Sequence, residues 1–128
     1  MNPGQEKTHT IIGLVEPVTV KGKTGKETHL ARIDTGAAKS SIDSKLVYKL
    51  KLGPVLSVNK VSNAHGTTLR PVIEAEIKIK RRKIKSLFTV ADRSNMKYAI
   101  LIGRNVLKQE FLIDPAKKNP STDKEAKK

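Results

Sequence analysis

Short runs of β-branched and other apolar residues, separated by turn signals, are the feature that most constrains this fold. Residues 10–20, 27–33 and 71–80 are rich in β-branched side chains or alternate between apolar and polar ones. Residues 21–26 form a glycine- and lysine-rich turn signal between the first two runs. Runs of this length and spacing predict an all-β domain built from hairpins. Pro17 interrupts the first run, so we expect a kink or bulge there.

Helical spacing is confined to two short segments. Residues 38–50 suit one or two helical turns, although Ser40 and Ser41 fit the start of a strand equally well. Residues 104–110 are typical of a short helix. Between them, the wholly apolar residues 99–102 are expected to form a strand buried on both faces. The predicted fold class is therefore all-β with one or two short helices.

The length and composition fit a single domain. The chain has 128 residues, and we expect a folded domain over residues 10–116. Residues 1–9 are expected to be flexible, and residues 117–128 to form a disordered basic tail. The absence of cysteine excludes disulfides and thiolate metal sites. Without an apolar run of about 20 residues or a signal-peptide pattern, a cytoplasmic location and no membrane partner are predicted.

The net charge of +14 predicts attraction to anionic partners. Platforms for single-stranded nucleic acid usually also offer aromatic faces for stacking. This chain has only two tyrosines, two phenylalanines and no tryptophan, so nucleic acid is the less favoured partner. Solvated lysines without a specific partner remain the simplest alternative.

The tetrad Asp34-Thr35-Gly36-Ala37 is the strongest candidate for chemistry. It places a carboxylate at the end of an extended segment, followed by a hydroxyl and by a glycine that permits close backbone approach. Two such carboxylates sharing one proton can hydrolyse an amide bond. Because the chain carries the tetrad once, this chemistry requires a symmetric homodimer. A turn or capping aspartate is the structural alternative.

A polar loop at residues 62–67 is a candidate flap over an extended substrate. Asn63, His65 and Gly66 are the residues predicted to contact that substrate. Gly66 supplies backbone freedom for closure. The alternative is a plain hairpin connection, with His65 simply exposed to solvent.

A second motif extends the pattern to the whole chain. Gly103-Arg104-Asn105, preceded by apolar residues 100–102, resembles the segment before the C-terminal helix of retroviral-type aspartic proteases. A broader similarity, over about residues 12–115, is to the retropepsin-like RimB-type proteins linked with RimK-type glutamate ligases. The residues that carry it are Ile12, Gly13, Glu16, Arg32 to Ala37, Gly66, Arg70 to Ile73, Asp92, Arg93, Met96, Tyr98, Leu101, Gly103, Arg104, Phe111, Asp114 and Pro115.

The resemblance implies a closed retropepsin-like β-barrel and a homodimeric aspartic endopeptidase. It assigns catalysis to Asp34, Thr35 and Gly36, contact with the substrate backbone to Ala37, and structural support to Gly103 and Arg104. The association with glutamate ligases implies an extended, acidic peptide substrate such as an oligoglutamate chain. Basic residues would then ring the cleft, with Arg32, Lys39 and the Arg81-Arg82-Lys83 run as candidates.

The chain departs from the viral pattern near the tetrad. Viral enzymes have an acidic residue there that pairs with the arginine of the second motif, whereas this chain has Ala38 and Lys39. Arg104 therefore needs another partner, for which Asp43, Asp92 and Asp114 are the candidates. Arg32 lies one position before the last residue of the strand that leads into the tetrad. Viral enzymes have an apolar residue at this position.

No cofactor is predicted, although RimB-type proteins are often labelled ATP-dependent zinc proteases. The three histidines are scattered, and neither a His-Glu-x-x-His helix nor a phosphate-binding Gly-Lys-Ser/Thr loop occurs. We therefore predict no metal and no ATP site. The alternative function is a non-enzymatic basic β-domain that holds nucleic acid or an acidic protein.

Overall fold

The computed structural model describes residues 8–117, which form nine strands and two short helices. The strands are β1 (Thr10–Ile12), β2 (Val15–Gly22), β3 (Gly25–Ile33), β4 (Ser40–Asp43), β5 (Val55–Asn63), β6 (Gly66–Ile79), β7 (Arg82–Ala91), β8 (Ile100–Ile102) and β9 (Phe111–Ile113). The helices are α1 (Ser44–Leu50) and α2 (Arg104–Leu107). This content confirms the prediction of an all-β fold with short helices.

Seven of these strands form one sheet in the order β2-β3-β8-β4-β7-β6-β5. An additional antiparallel pairing between β2 and β6, from Val18 opposite Ile79 to Lys21 opposite Glu76, closes the first six strands into a barrel. Strand β5 lies outside that closure and pairs with β6 as a long hairpin. Strands β1 and β9 form a separate parallel pair. The closed retropepsin-like barrel expected from the sequence is therefore present.

The barrel core is built by alternate residues of neighbouring strands. Val18 and Val20 of β2 lie opposite Ile79 and Ile77 of β6, and all four side chains are buried. Phe88 fills the interior from β7 and is fully buried. Burying each of these side chains stabilises the fold by roughly 1.5–3 kcal/mol. The period-two pattern of the sequence thus places one face of the barrel strands in this core.

Several local predictions needed correction. The first apolar run is interrupted at Gly13 and Leu14 rather than at Pro17, which lies inside β2 just before its pairing with β6 begins at Val18. Residues 38–50 contain both a strand and a helix, because β4 leads directly into α1. The predicted helix over residues 104–110 is shorter, since α2 ends at Leu107.

The predicted terminal segments lie largely outside the described residues. Only Thr8 and His9 of the first segment and Lys117 of the tail are described. Within residues 8–117, no helix has the length and apolar character needed to cross a membrane.

Candidate active site

The two sequence motifs meet because they follow neighbouring parallel strands. Strand β3 pairs in parallel with β8, with Ile33 opposite Ile102. The tetrad begins directly after Ile33 and the second motif directly after Ile102. The backbone N–H of Asp34 donates to the carbonyl of Ile102 at 2.9 Å, which continues the ladder by one residue. Residues almost seventy positions apart in sequence are therefore joined at one end of the barrel.

The tetrad forms a tight loop around the Asp34 carboxylate. The N–H of Gly36 donates to Asp34 Oδ1 at 2.9 Å. The N–H of Ala37 donates to the Asp34 carbonyl at 3.3 Å. Asp34 is partly buried, whereas Thr35 and Gly36 are exposed. The Asp34 carboxylate is thus held by a backbone donor and remains open to solvent.

Helix α2 fixes this loop from behind. The backbone N–H groups of Arg104 and Asn105 donate to the carbonyls of Ala37 at 2.8 Å and Ala38 at 3.2 Å. The Arg104 guanidinium donates from Nη1 to the carbonyl of Thr35 at 2.9 Å. Three donors from two consecutive residues thus hold three carbonyls of the loop, those of Thr35, Ala37 and Ala38, and the position of Asp34 depends on them.

Arg104 does not pair with Asp43, Asp92 or Asp114, the three acidic residues predicted as its partners. Among the described residues Arg104 makes no ion pair, and its recorded side-chain bond is to the Thr35 carbonyl. The three candidate carboxylates cap nearby backbone N–H groups instead: Asp43 bonds Arg93, Asp92 bonds Ser94, and Asp114 bonds Ala116. The backbone carbonyl of Thr35, within the tetrad, therefore takes the place of the acidic residue that pairs with this arginine in viral enzymes.

Ser40 and Asn105 support the site, and the sequence analysis did not assign them a role. Ser40 is fully buried, accepts the N–H of Gly103 at 2.9 Å and donates to Asn105 Oδ1 at 2.7 Å. Asn105 Nδ2 donates in turn to the Ser86 hydroxyl and the Leu87 carbonyl. Ser40 lies on the inward face of β4, two positions from the inward-facing Ile42. A polar residue at an inward-facing position is the signal that could have indicated such a role.

Gly103 is required by close packing. A Cβ at this position would lie 2.3 Å from the carbonyl oxygen of Lys39 and 2.8 Å from that of Ala37. The added Cβ cannot fit so close to these backbone atoms unless the tetrad loop moves. Gly103 therefore packs directly against the backbone of the tetrad loop.

A groove of about 460 Å³ separates the tetrad loop from the β5–β6 hairpin. Ala37, Ala38 and Lys39 line one side, and Asn59, Lys60, Val61 and Arg70 line the other, with Ser41 and Thr89 between them. A smaller cavity of about 220 Å³ continues it beneath the hairpin and shares Lys39, Asn59 and Thr89 with it. The lining of the groove contains three cations and no carboxylate, so its potential is positive.

The residues predicted for the flap lie at the tip of the hairpin. Asn63 pairs with Gly66, and only Ala64 and His65 form the turn, so the loop is shorter than the predicted residues 62–67. Asn63 Oδ1 accepts the N–H of His65 at 2.8 Å. The hairpin contributes its residues 59–61 and 70 to the groove, whereas Asn63, His65 and Gly66 are exposed beyond it.

The basic residues proposed to ring the cleft are not all near it. Lys39 lines the groove. Arg82 instead bonds Thr10 Oγ1 at 2.7 Å and lies over the Phe111 ring at 5.8 Å, so it fastens the β1–β9 pair to the barrel. Lys83 lines a different cavity on the β2–β6–β7 face, and Arg32 and Arg81 do not line the groove.

The histidines lie on separate elements: His9 precedes β1, His29 lies on β3 beside Glu27, and His65 is at the hairpin tip. Within residues 8–117, no three histidine, aspartate or glutamate side chains gather as a potential metal site. The donor set therefore does not fit a zinc centre.

A closed six-stranded barrel with an Asp-Thr-Gly loop braced by a Gly-Arg-Asn helix defines the retropepsin-like fold. The solution structure of the simian foamy virus protease is similar, with a TM-score of 0.54, 17% identity and coverage of 73% of this chain and 92% of the viral one. A Legionella pneumophila (strain Philadelphia 1) protein of unknown function is also similar, with a TM-score of 0.59, 18% identity and coverage of 88% of this chain and 98% of that protein. These likenesses concern the fold.

The sequence model of the retropepsin-like aspartic endopeptidase RimB matches residues 45–124. The chain therefore belongs to the RimB-like family of retropepsin-like proteins. The match begins after Asp34, so the tetrad lies outside it. No curated protein matches the chain in sequence.

Proposed function

We propose that this protein is a homodimeric aspartic peptidase in which Asp34 and its counterpart in a second subunit activate a water molecule for amide hydrolysis. The observation that carries the proposal is the braced loop around the partly exposed Asp34 carboxylate. The retropepsin-like fold and family membership support the same class of chemistry.

The reaction needs two carboxylates about 3 Å apart, which cannot both ionise and therefore share one proton. The ionised aspartate takes a proton from water while the water oxygen attacks the scissile carbonyl carbon. The protonated aspartate donates its proton to the carbonyl oxygen, giving a tetrahedral diol. Proton transfer to the amide nitrogen then breaks the C–N bond and releases an amine and a carboxylic acid.

A surface suited to self-association lies beside the tetrad. The Ile33 N–H, one residue before Asp34, donates to the carbonyl of Leu14, which is 49% exposed. Ile11 and Leu112 are register partners in the β1–β9 pair and are 53% and 51% exposed. A two-fold axis close to Asp34 would bury this apolar cluster and bring Thr35 next to the partner's loop, where hydroxyl hydrogen bonds would lock the two loops.

The groove favours an extended and acidic substrate. Lys39, Lys60 and Arg70 supply positive charge along its length. Strand β5 is the last strand of the sheet, so an extended peptide can pair with its free edge by β-augmentation. Oligoglutamate chains combine both properties, and they are the substrate class we propose, with the hairpin residues Asn63, His65 and Gly66 closing over the bound chain.

The substitution Asp34→Asn tests the proposal. Hydrolysis of a glutamate-rich peptide is expected to fall by at least about a thousandfold, because the pair loses its ionisable group. The circular-dichroism spectrum and the sedimentation behaviour should be unchanged. Equal cleavage of neutral and glutamate-rich peptides at low salt would contradict the acidic preference, and a strict monomer by ultracentrifugation would contradict the shared site.

Mixed dimers sharpen this test. When wild-type and Asp34→Asn subunits are mixed and allowed to exchange, only dimers of two wild-type subunits hold a complete pair. At equal proportions the activity should fall to roughly a quarter of that of an equal total amount of wild type. A fall to only half would show that each subunit acts alone.

The alternative function is a basic β-domain that holds nucleic acid or an acidic protein without hydrolysis. The cationic groove is the observation that favours it. Under that alternative, salt-sensitive binding would be indifferent to Asp34→Asn, and no peptide would be cleaved.

A further inference from the structure

A second open cavity, of about 750 Å³, lies beside the candidate groove at the start of β8. Lys45, Arg93 and Lys97 contribute positive charge to its lining, and Asp43 is its sole carboxylate. Together with the three cations of the groove, these residues form a basic strip: Lys39, Lys60, Arg70, Arg93, Lys45 and Lys97.

The groove and the cavity, which form the two halves of the strip, lie at neighbouring positions of β4. Ser41 lines the groove and Asp43 lines the cavity. These residues are two positions apart on one strand, which corresponds to roughly 7 Å. Burial and the nearby positive charge of Arg70 lower the pKa of Arg93, whereas Asp43 raises it. Arginine stays charged at physiological pH.

The charge of the strip is largely uncompensated. In the described part of the chain, none of its six side chains forms an ion pair, whereas Lys49, Lys80 and Arg82 elsewhere are paired with glutamates. The nearest carboxylates are engaged with backbone groups, since Asp43 accepts the Arg93 N–H at 2.7 Å and Asp92 accepts the Ser94 N–H at 2.9 Å. Lys45 is one of the groups that lower the pKa of Asp92, so this carboxylate offsets part of its charge.

Arg93 is held with its donors available. Its Nε donates to the Tyr98 carbonyl at 3.0 Å, which anchors the guanidinium to the loop before β8. Its two terminal nitrogens make no hydrogen bond within residues 8–117. A guanidinium fixed at one nitrogen and open at the other two is suited to a bidentate carboxylate.

We propose that the basic strip is an exosite for a run of carboxylates in an acidic peptide, leading from the groove beside the tetrad to the cavity around Arg93. This inference rests on the proposed function, because it assigns the strip to the part of the substrate remote from the scissile bond. In an extended chain, side chains on one face repeat every two residues, or about 7 Å, which matches the step between the two halves of the strip.

The lining of the strip favours a peptide over nucleic acid. Tyr98 is the one aromatic residue that lines either half, and the ammonium of Lys97 already lies 5.6 Å from the centre of its ring. Single-stranded nucleic acid is usually held by stacking on several open aromatic faces. An acidic peptide needs only the positive charges of the strip for its carboxylates to bind.

Binding of a fluorescein-labelled decaglutamate peptide to the full-length chain tests the exosite independently of hydrolysis. Fluorescence anisotropy would be measured at low salt with the Asp34→Asn protein, so that cleavage does not interfere. The double substitution Lys45→Ala and Lys97→Ala is expected to weaken binding roughly fivefold, since it removes two exposed charges far from the tetrad.

The matched control is Lys78→Ala with Lys83→Ala. These lysines are register partners on β6 and β7, line a separate cavity, and carry the same total charge. The control should change the affinity by less than about twofold. Equal weakening by both double variants would overturn the exosite, because it would show attraction by net charge alone.

A labelled oligodeoxythymidylate of equal charge supplies a further arm. If it binds more tightly than decaglutamate and shows the same dependence on Lys45 and Lys97, the strip is a nucleic-acid site and the inference is wrong. Weaker or less selective binding of the oligonucleotide supports the peptide. The proposed hydrolysis is judged separately by Asp34→Asn, so either idea can fail while the other stands.

Discussion

The tetrad loop and the β5–β6 hairpin face each other across one groove but are stabilised in opposite ways. The tetrad loop is bound by the backbone and side chain of Arg104, by the backbone of Asn105 and by the buried Ser40 network. The hairpin beyond Arg70 is held by its own ladder and is exposed to solvent. Val58 and Leu69 on this arm are 56% and 66% exposed although both are apolar.

This contrast indicates that the tetrad loop and the hairpin have different roles. Catalytic carboxylates need positions fixed within a fraction of an ångström, and a network of buried donors and acceptors provides that. A hairpin with few buried contacts opens at low free-energy cost and can close over a substrate. Paired substitutions, one in the tetrad loop or its supports and one in the hairpin, test the contrast, and a substitution of Asp92 tests the loop that carries Arg93.

The largest effect is expected for Gly103→Ala. Its Cβ would meet the Lys39 carbonyl oxygen at 2.3 Å, so the tetrad loop must move. We expect a loss of about 3 kcal/mol or more in the free energy of unfolding, and loss of peptide hydrolysis. Urea denaturation followed by circular dichroism measures the first quantity.

Gly66→Ala at the hairpin tip is the matched change. Gly66 has a φ of 122°, but nothing lies within 4 Å of an added Cβ. The cost should therefore be only backbone strain, about 1–2 kcal/mol. If Gly103→Ala destabilises the protein no more than Gly66→Ala, the loop is less rigidly braced than the contrast requires.

Ser40→Ala should have an intermediate effect. It removes the acceptor of the buried Gly103 N–H and the donor to the partly buried Asn105 Oδ1. A loss of about 1–3 kcal/mol is expected. Ser62→Ala in the hairpin removes an exposed 3.2 Å contact with Thr67 and should change stability by less than about 0.5 kcal/mol. Comparable losses in the two variants would remove the distinction between the regions.

The smallest effect concerns Asp92, which shapes the loop that carries Arg93. Hydrogen bonds from the Ser94 hydroxyl and N–H, with a contribution from Lys45, lower the pKa of Asp92 below its usual 3.8. A lowered folded-state pKa contributes stability above the unfolded value, which is lost as the pH falls through the folded value. Asp92→Asn should therefore be slightly less stable than wild type at pH 7, and the difference should shrink below pH 3.8 and vanish once the pH has fallen through the lower, folded-state pKa. A difference that grows at acid pH would contradict this assignment.

Local pattern was sufficient for most strands and for both motifs. Alternation over residues 71–80 predicted most of the second half of β6, because the side-chain period of a strand is visible in the sequence. It was less informative where one segment held two elements, as at Ser40–Asp43 and α1. It also misplaced the break in the first run, because the effect of Pro17 depends on where β2 begins to pair with β6.

Within the candidate site, the missing information was long-range. Ser40 and Asn105 are 65 positions apart and neither is unusual alone, so their hydrogen bond has no local signal. The partner of Arg104 was sought among aspartates, whereas it is a backbone carbonyl, which every residue carries. The roles proposed for Asp34, Thr35 and the hairpin tip remain predictions for the experiments above.

The sequence by itself determined the chemistry that is available: one Asp-Thr-Gly tetrad, a Gly-Arg-Asn motif, strands of period two and a net charge of +14. Only the tertiary structure decided which of these groups act together. Closure of the barrel through β2 and β6 and the parallel pairing of β3 with β8 bring the two motifs to one end, and the fold places Lys39 in one groove with Lys60 and Arg70 of the hairpin. Residue identity is local, whereas proximity between distant residues arises only when the strands pair.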